Sequence, residues 1–83
     1  MDNKTSVEII KIVSENLGVN PDDIEKDSLL REDLGLNTIE LNDLLSTLAK
    51  KFNISFNPQE AQSIETIEDL IHMTEDSLLD SEI

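Results

Sequence analysis

The chain has 83 residues, of which 37% are hydrophobic, so it has room for one small domain with a thin core. Nineteen acidic residues against six basic ones give a net charge of −13. This charge argues against nucleic-acid or anionic-membrane binding and favours partners with basic patches. The absence of cysteine excludes a disulfide framework, a thiolate nucleophile and a zinc–thiolate site. Neither a signal-peptide pattern nor a membrane-spanning apolar run is present, so we expect a cytoplasmic protein.

The first helix is predicted over residues 5–17, where apolar residues recur at three- and four-residue steps. Thr5 or Ser6 is expected to cap this helix, and Gly18 is expected to end it. The residues expected to form its buried stripe are Ile9, Ile10, Val13 and Leu17, broadened by Val7 and Ile12.

A long connection follows, from Gly18 to Asn37. Pro21 predicts a short turn over residues 20–23, and Ile24 is expected to point inward. A connection this long in so small a domain usually indicates a packed, functional loop. The residues expected to pin it to the helices are Leu29, Leu30 and Leu34.

The start of the second helix is the most informative part of the chain. Gly35 permits a tight bend, Asn37 is predicted as the N-cap, and Glu40 can complete a capping box. This arrangement places the Thr38 hydroxyl on the first turn, beside unpaired backbone amides and the positive end of the helix dipole. Such a position favours a phosphate ester. The structural alternative is that Thr38 is simply a polar residue at a capped helix start.

The second helix is predicted to run from Thr38 to about Phe52. Lys50 and Lys51 near its end suit the negative pole of the dipole, and we assign them this structural role rather than a binding role. Its buried face is predicted from Leu41, Leu44, Leu45, Leu48 and Phe52, and its exposed face from Ile39, Asn42 and Ser46.

Two further helix starts follow the same capping logic. Asn57, Pro58 and Glu60 predict a short third helix with an asparagine cap and a capping box. Residues 66–69 start the fourth helix, and residues 75–83 are expected to form an acidic tail that frays at its end, which leaves a core of about 5–74. The residues expected to face inward here are Ala61, Ile64, Ile67, Leu70, Ile71 and Leu78.

Residues 32–40 read Glu-Asp-Leu-Gly-Leu-Asn-Thr-Ile-Glu. They closely resemble the acyl carrier protein signature, Glu-Asp-Leu-Gly-Ala-Asp-Ser-Leu-Asp. The similarity includes residues 17–19, 56–61 and 64–67 and spans most of residues 5–74, so the chain is identified as a member of this family. The similarity also includes Asp43, Leu44, Leu48 and Phe52. Membership implies a single all-α domain over 1–83, a four-helix bundle with three longer helices, a short third helix and a long loop between the first two.

The resemblance also implies a function. In the family, a serine at the head of the second helix carries 4′-phosphopantetheine, whose thiol holds acyl chains as thioesters in fatty-acid, related lipid or polyketide biosynthesis. Thr38 occupies the serine position, and Asn37 occupies that of the preceding aspartate. The implied protein is a monomeric carrier that docks to basic patches on a phosphopantetheinyl transferase and on acyl-processing enzymes, with Ile39, Glu40 and Asp43 as its partner-binding residues.

This chain departs from the family pattern at those positions. The extra methyl group of Thr38 crowds attack on the pyrophosphate of coenzyme A, and Asn37 offers a neutral oxygen where the family's aspartate helps to hold a metal ion. Two hypotheses therefore stay open, a modified carrier and an unmodified interaction module that retains the fold. A dedicated partner is suggested by the altered docking face at Asn42, Ser46, Ala49, Lys50 and Lys51.

Enzyme and metal-site hypotheses find little support. His72 is the only histidine, no cysteine can pair with it, and a surface structural role is expected, so we predict no enzymatic activity. An acidic cluster invites comparison with a calcium loop, but counting from Asp23 puts Ser28 and Leu34 where that loop needs glycine and glutamate. We therefore assign no metal site to Asp22, Asp23, Glu25 and Asp27.

Overall fold

Four α-helices account for most of residues 4–80, the part of the chain that the computed structural model describes. A short 3-10 helix, Pro21–Asp23, lies in the long connection, and an isolated antiparallel bridge joins Leu29 to Thr66. No strand is present within these residues, so the predicted all-α class is confirmed. The helices are α1 (Lys4–Leu17), α2 (Thr38–Phe52), α3 (Pro58–Ser63) and α4 (Ile67–Asp80).

The core forms where the apolar faces of α1, α2 and α4 meet. Val7 was predicted to join the α1 stripe, but 54% of its surface is exposed. Val7 lies two residues from Ile9, which turns it about 200° around the helix and onto the solvent side. The apolar side chains of these three helices with the least exposure are Ile9, Val13, Leu44, Leu48, Ile67 and Leu70.

The two ends of α1 differ from each other in how well the sequence predicted them. The predicted cap at Thr5 or Ser6 is wrong, because both residues lie inside the helix and Ser6 is buried. The residues before Lys4 lie outside the described part of the chain. The predicted stop at Gly18 is confirmed, since its φ of +71° is a left-handed conformation that glycine adopts without strain.

The connection between α1 and α2, here called the crossover, is held against the start of α4. Leu30 in the crossover is almost fully buried, which confirms the predicted packing of this segment. Three backbone hydrogen bonds fix its position, from Leu30 N to Glu65 O (2.8 Å), from Ile67 N to Ser28 O (3.1 Å) and from Glu68 N to Lys26 O (2.8 Å).

The start of α4 is therefore fully hydrogen-bonded. The crossover carbonyls accept hydrogen bonds from two first-turn amides, those of Ile67 and Glu68. The side chains of a reciprocal pair accept from two more amides. Thr66 Oγ1 accepts from Asp69 N at 3.2 Å, and Asp69 Oδ2 accepts from Thr66 N at 3.3 Å. Asp69 Oδ2 also accepts from Glu65 N at 3.0 Å, and this bond is the main reason why the pKa of Asp69 lies below its ordinary value.

The short helix α3 begins as predicted at Pro58, with Asn57 as its cap. The Asn57 side chain accepts from Gln59 N at 2.8 Å rather than from Glu60 N. The predicted capping box with Glu60 is therefore wrong, because the nearer amide already satisfies the asparagine oxygen.

The last helix is longer than the sequence predicted. Residues 75–83 were expected to form an acidic tail outside the core that frays at its end, but α4 continues through Asp80, and residues 81–83 lie outside the described part. Met73 and Thr74 are buried, and Ser77 Oγ donates to Ser55 O at 3.5 Å. These contacts hold the second half of α4 against the rest of the bundle.

We expect Leu48→Ala to lower the free energy of unfolding by about 2–5 kcal/mol, because Leu48 is 0% exposed and truncation leaves a cavity. Urea unfolding measures the loss. Ser46→Ala, at an exposed position of the same helix, is the matched control and should change stability by less than about 0.5 kcal/mol. Equal effects of the two substitutions would contradict the assignment of this helix face to the core.

We expect Asp69→Asn to reduce stability at neutral pH, with a difference from the original chain that shrinks on acidification. The ordinary carboxyl pKa is 3.8, and the folded value is lower, so the contribution is present above 3.8 and is lost as the pH falls through the folded pKa. Thermal unfolding of both proteins at a series of pH values, from neutral to acidic, measures this difference in stability. Asp76→Asn, an exposed carboxylate of α4 that makes no cap, serves as control. A difference that stays constant with pH would contradict this role.

Candidate functional site

A tight bend delivers the chain to the start of α2. Gly35 has a φ of +72°, as a bend with glycine requires, and Leu36 N donates to Leu30 O at 3.0 Å. Leu36 is buried. The residue before Asn37 is thereby fixed to the core, which sets the position at which α2 begins.

Asp33 closes the bend, a role that we did not assign from the sequence. Its Oδ2 atom accepts from Leu29 N at 2.8 Å, and its own N–H donates to Leu29 O at 2.9 Å. The available signal was an aspartate in a turn-rich segment, since such side chains often bond nearby backbone amides. Asp33 is therefore a structural residue of the site.

The capping box predicted from Asn37 and Glu40 is present. Asn37 Oδ1 accepts from Glu40 N at 2.7 Å, and Asn37 N donates to Glu40 Oε1 at 3.2 Å. Asn37 has extended backbone angles, and its carbonyl accepts from Leu41 N at 2.9 Å. This box fixes the geometry of the first turn on which Thr38 lies.

Thr38 is the first residue of α2, and its side chain is exposed. The capping box uses the amides of Asn37 and Glu40, which leaves those of Thr38 and Ile39 without a partner among residues 4–80. At the start of α4, by contrast, crossover carbonyls accept hydrogen bonds from the corresponding amides, those of Ile67 and Glu68. The start of α2 therefore combines a free hydroxyl, two free N–H donors and the positive end of a dipole, an arrangement suited to a phosphate.

The predicted partner-binding residues surround this position. Ile39 is 73% exposed, which is unusual for a large apolar side chain, and Glu40 and Asp43 are exposed beside it. The two acidic residues also line a groove of about 190 Å³ between the end of α1 and the start of α2, together with Leu36 and other residues. An apolar contact and two carboxylates thus lie within the first two turns.

The other residues considered from the sequence lie away from this site. His72 is an exposed residue of α4, and its Nε2 atom is 4.0 Å from Glu68 Oε1. Among the residues that the structure describes, no three His, Asp or Glu side chains are grouped so that they could hold a metal ion. None of the described helices is both long and apolar enough to cross a membrane.

Comparison with known proteins indicates the family to which the chain belongs. Residues 7–74 match the family model described as a phosphopantetheine attachment site. The acyl carrier protein of Wolinella succinogenes is 35% identical over 68 residues, which cover 82% of this chain and 90% of that protein. The acyl carrier protein of Sulfurovum sp. is 34% identical over 68 residues, which cover 82% and 91%.

The fold is similar to that of a solved structure. The crystal structure of an acyl carrier protein from Thermotoga maritima superposes with a TM-score of 0.81, covering 99% of this chain and 100% of the other, at 20% identity. Together with the sequence matches, these findings show that the chain belongs to the acyl carrier protein family.

Family membership defines the class of cofactor and partner. Acyl carrier proteins bear covalently attached 4′-phosphopantetheine and are carriers rather than enzymes. They interact with a phosphopantetheinyl transferase and with acyl-processing enzymes. The residues at the start of α2 fit the phosphate of this group, because a hydroxyl and two N–H donors there are available to it.

We expect Thr38→Ala to leave the free energy of unfolding within about 0.5 kcal/mol of the original value, because the side chain is exposed. Asn37→Ala should cost about 1 kcal/mol, since it removes the cap. Chemical unfolding of the two variants side by side tests this contrast. Unfolding of the Thr38→Ala variant would mean that this residue is structural and not a free attachment site.

Proposed function

We propose that the chain is an acyl carrier protein whose prosthetic group is attached at Thr38. In this proposal it holds acyl intermediates for fatty-acid or related lipid or polyketide biosynthesis. The observation that carries the proposal is the exposed Thr38 hydroxyl at the first position of α2, next to two amides that have no partner in the described structure. When attached, 4′-phosphopantetheine supplies a terminal thiol that holds acyl chains as thioesters.

The residues around Thr38 have separate tasks in this proposal. Thr38 would supply the hydroxyl oxygen that attacks the pyrophosphate of coenzyme A; the pyrophosphate P–O bond breaks, adenosine 3′,5′-bisphosphate leaves, and the hydroxyl proton passes to a base of the transferase. Asn37 and Glu40 hold the first turn through their reciprocal hydrogen bonds, so the amides of Thr38 and Ile39 would be available to hold the phosphate. The amides and the helix dipole stabilise the negative charge. The bonds at Asp33 and the buried Leu36 keep the helix start fixed while partners exchange.

Partner enzymes dock beside Thr38 in this proposal. Ile39 supplies an apolar contact, and its high exposure is explained if a partner covers it. The exposed carboxylates of Glu40 and Asp43 attract basic residues of the transferase and of acyl-processing enzymes. Such charges increase the rate of encounter more than they increase the final affinity.

The alternative function is an unmodified interaction module that docks through α2. The observation that favours it is that the neutral side-chain oxygen of Asn37 already accepts a short hydrogen bond from Glu40 N. An aspartate at this position would offer a charged second oxygen to a metal ion, and Asn37 does not. The extra methyl group of Thr38 also hinders modification.

Intact-mass spectrometry of the protein expressed in its own host distinguishes the two functions. We expect a population that carries the phosphopantetheine mass increment, and we expect Thr38→Ala to abolish it. The exposed Thr47 keeps its hydroxyl in the Thr38→Ala variant and controls for modification of other threonines. A fully unmodified population of the original chain in its host would contradict the carrier function and favour the interaction module.

Thr38→Ser is expected to increase the rate of modification by a phosphopantetheinyl transferase that accepts serine carriers, because it removes the crowding methyl group. A time course of the mass increment for the two proteins measures the ratio. If serine brings no gain, the rate is limited by recognition of α2 and not by the hydroxyl.

A further inference from the structure

The exposed face of α2 carries charges of both signs, at opposite ends. Ile39, Asp43, Ser46 and Lys50 follow one another at three- and four-residue steps, so they form a straight line on the solvent side of the helix, and all four are exposed. We call this line, with the adjacent Glu40 and Lys51, the α2 face. Its acidic end lies beside Thr38, and its basic end lies two turns further on.

The two lysines at the basic end are free to meet a partner. In a chain with nineteen acidic residues, neither Lys50 nor Lys51 forms an ion pair or hydrogen bond through its side chain within the described residues. Both lie in the last turn of α2, where they also complement the helix dipole. From the sequence we assigned them this structural role alone, but it leaves their amino groups uncovered, so it does not exclude a binding role.

The acidic end and the middle of the face are equally uncovered. Asp43 makes no side-chain hydrogen bond among residues 4–80; only its backbone carbonyl is used, accepting from Thr47 Oγ1 at 3.0 Å. Ser46, between the two ends, is small, neutral and exposed. Lys50 lies seven positions after Asp43, which corresponds to about 10 Å along the helix axis.

From this charge pattern we propose that the α2 face selects an acyl-processing enzyme with a basic residue next to its active-site entrance and an acidic residue about 10 Å further along the same groove. Lys50 and Lys51 pair with the acidic residue and repel enzymes whose docking patch is uniformly basic. The proposal rests on the carrier function, because that function brings the enzyme to Thr38. A second copy of this chain is a poorer occupant, since two chains of charge −13 repel each other.

The test measures binding to a purified ketosynthase that serves serine carriers and has a docking patch of basic residues only. The unmodified protein is used throughout, so the result does not depend on attachment at Thr38. We expect Lys50→Glu/Lys51→Glu to bind about tenfold more tightly than the original chain, because the repelling charges become attractive. Fluorescence anisotropy at low ionic strength measures the dissociation constants.

The matched control is Lys4→Glu/Lys11→Glu, which makes the same change in net charge on exposed positions of α1. This variant should improve binding by no more than about twofold, because it changes only the overall electrostatic field of the protein. If glutamate at the end of α2 disturbs the helix, Lys50→Gln/Lys51→Gln replaces it and should bind about threefold more tightly. Equal gains for the α1 and α2 variants, or no gain for either α2 variant, would overturn the proposal.

A charge exchange on the enzyme completes the test. One basic residue of the ketosynthase patch, chosen where the end of α2 docks, is changed to glutamate. We expect the order of affinity to reverse, so that the original chain binds this enzyme more tightly than the Lys50→Glu/Lys51→Glu variant does. An unchanged order would contradict the proposed pairing. Sedimentation of the original chain alone should show a monomer; a dimer that dissociates in the α2 variant would assign the face to a second copy instead.

Discussion

The hydrogen bonds between the crossover and the start of α4 are the constraint on which the site depends. Ser28 and Lys26 give their carbonyls to the first turn of α4, and Leu30 donates back to Glu65. Leu30 then accepts from Leu36, the residue that leads into α2. The start of α4 therefore helps to fix the place where α2 begins. The exposed groups at the start of α2 are positioned by these same bonds.

The two helix starts use similar capping side chains but differ in what remains unpaired. At α4 the crossover carbonyls complete the set of first-turn hydrogen bonds, so this end is purely structural. At α2 the box of Asn37 and Glu40 leaves two amides beside an exposed hydroxyl. Since an unsatisfied N–H group at a helix start favours an anion, this difference is the reason why we propose the start of α2, and not that of α4, as the site of phosphate attachment.

Local interactions explain what the sequence predicted, and distant contacts explain what it missed. The capping box and the bounds of α2 depend on residues that are close in sequence, so the pattern around Asn37 was sufficient to predict them. The bonds from the crossover to the start of α4 join residues 35 to 42 positions apart, and no local pattern encodes them. The family resemblance supplied the cofactor and the proposed attachment position, which spacing alone could not. Errors arose where tertiary packing or a competing bond decided the outcome, at Ser6, Val7, Glu60 and residues 75–80.

Fragmentation of the peptide that spans residues 32–50, obtained by trypsin digestion of the protein purified from its host, tests the central claim most directly. This peptide contains two threonines and one serine, at Thr38, Thr47 and Ser46. The account predicts that the phosphopantetheine increment is located on Thr38 alone. An increment on Ser46 or Thr47, or a peptide that is unmodified in every preparation from the host, would contradict it.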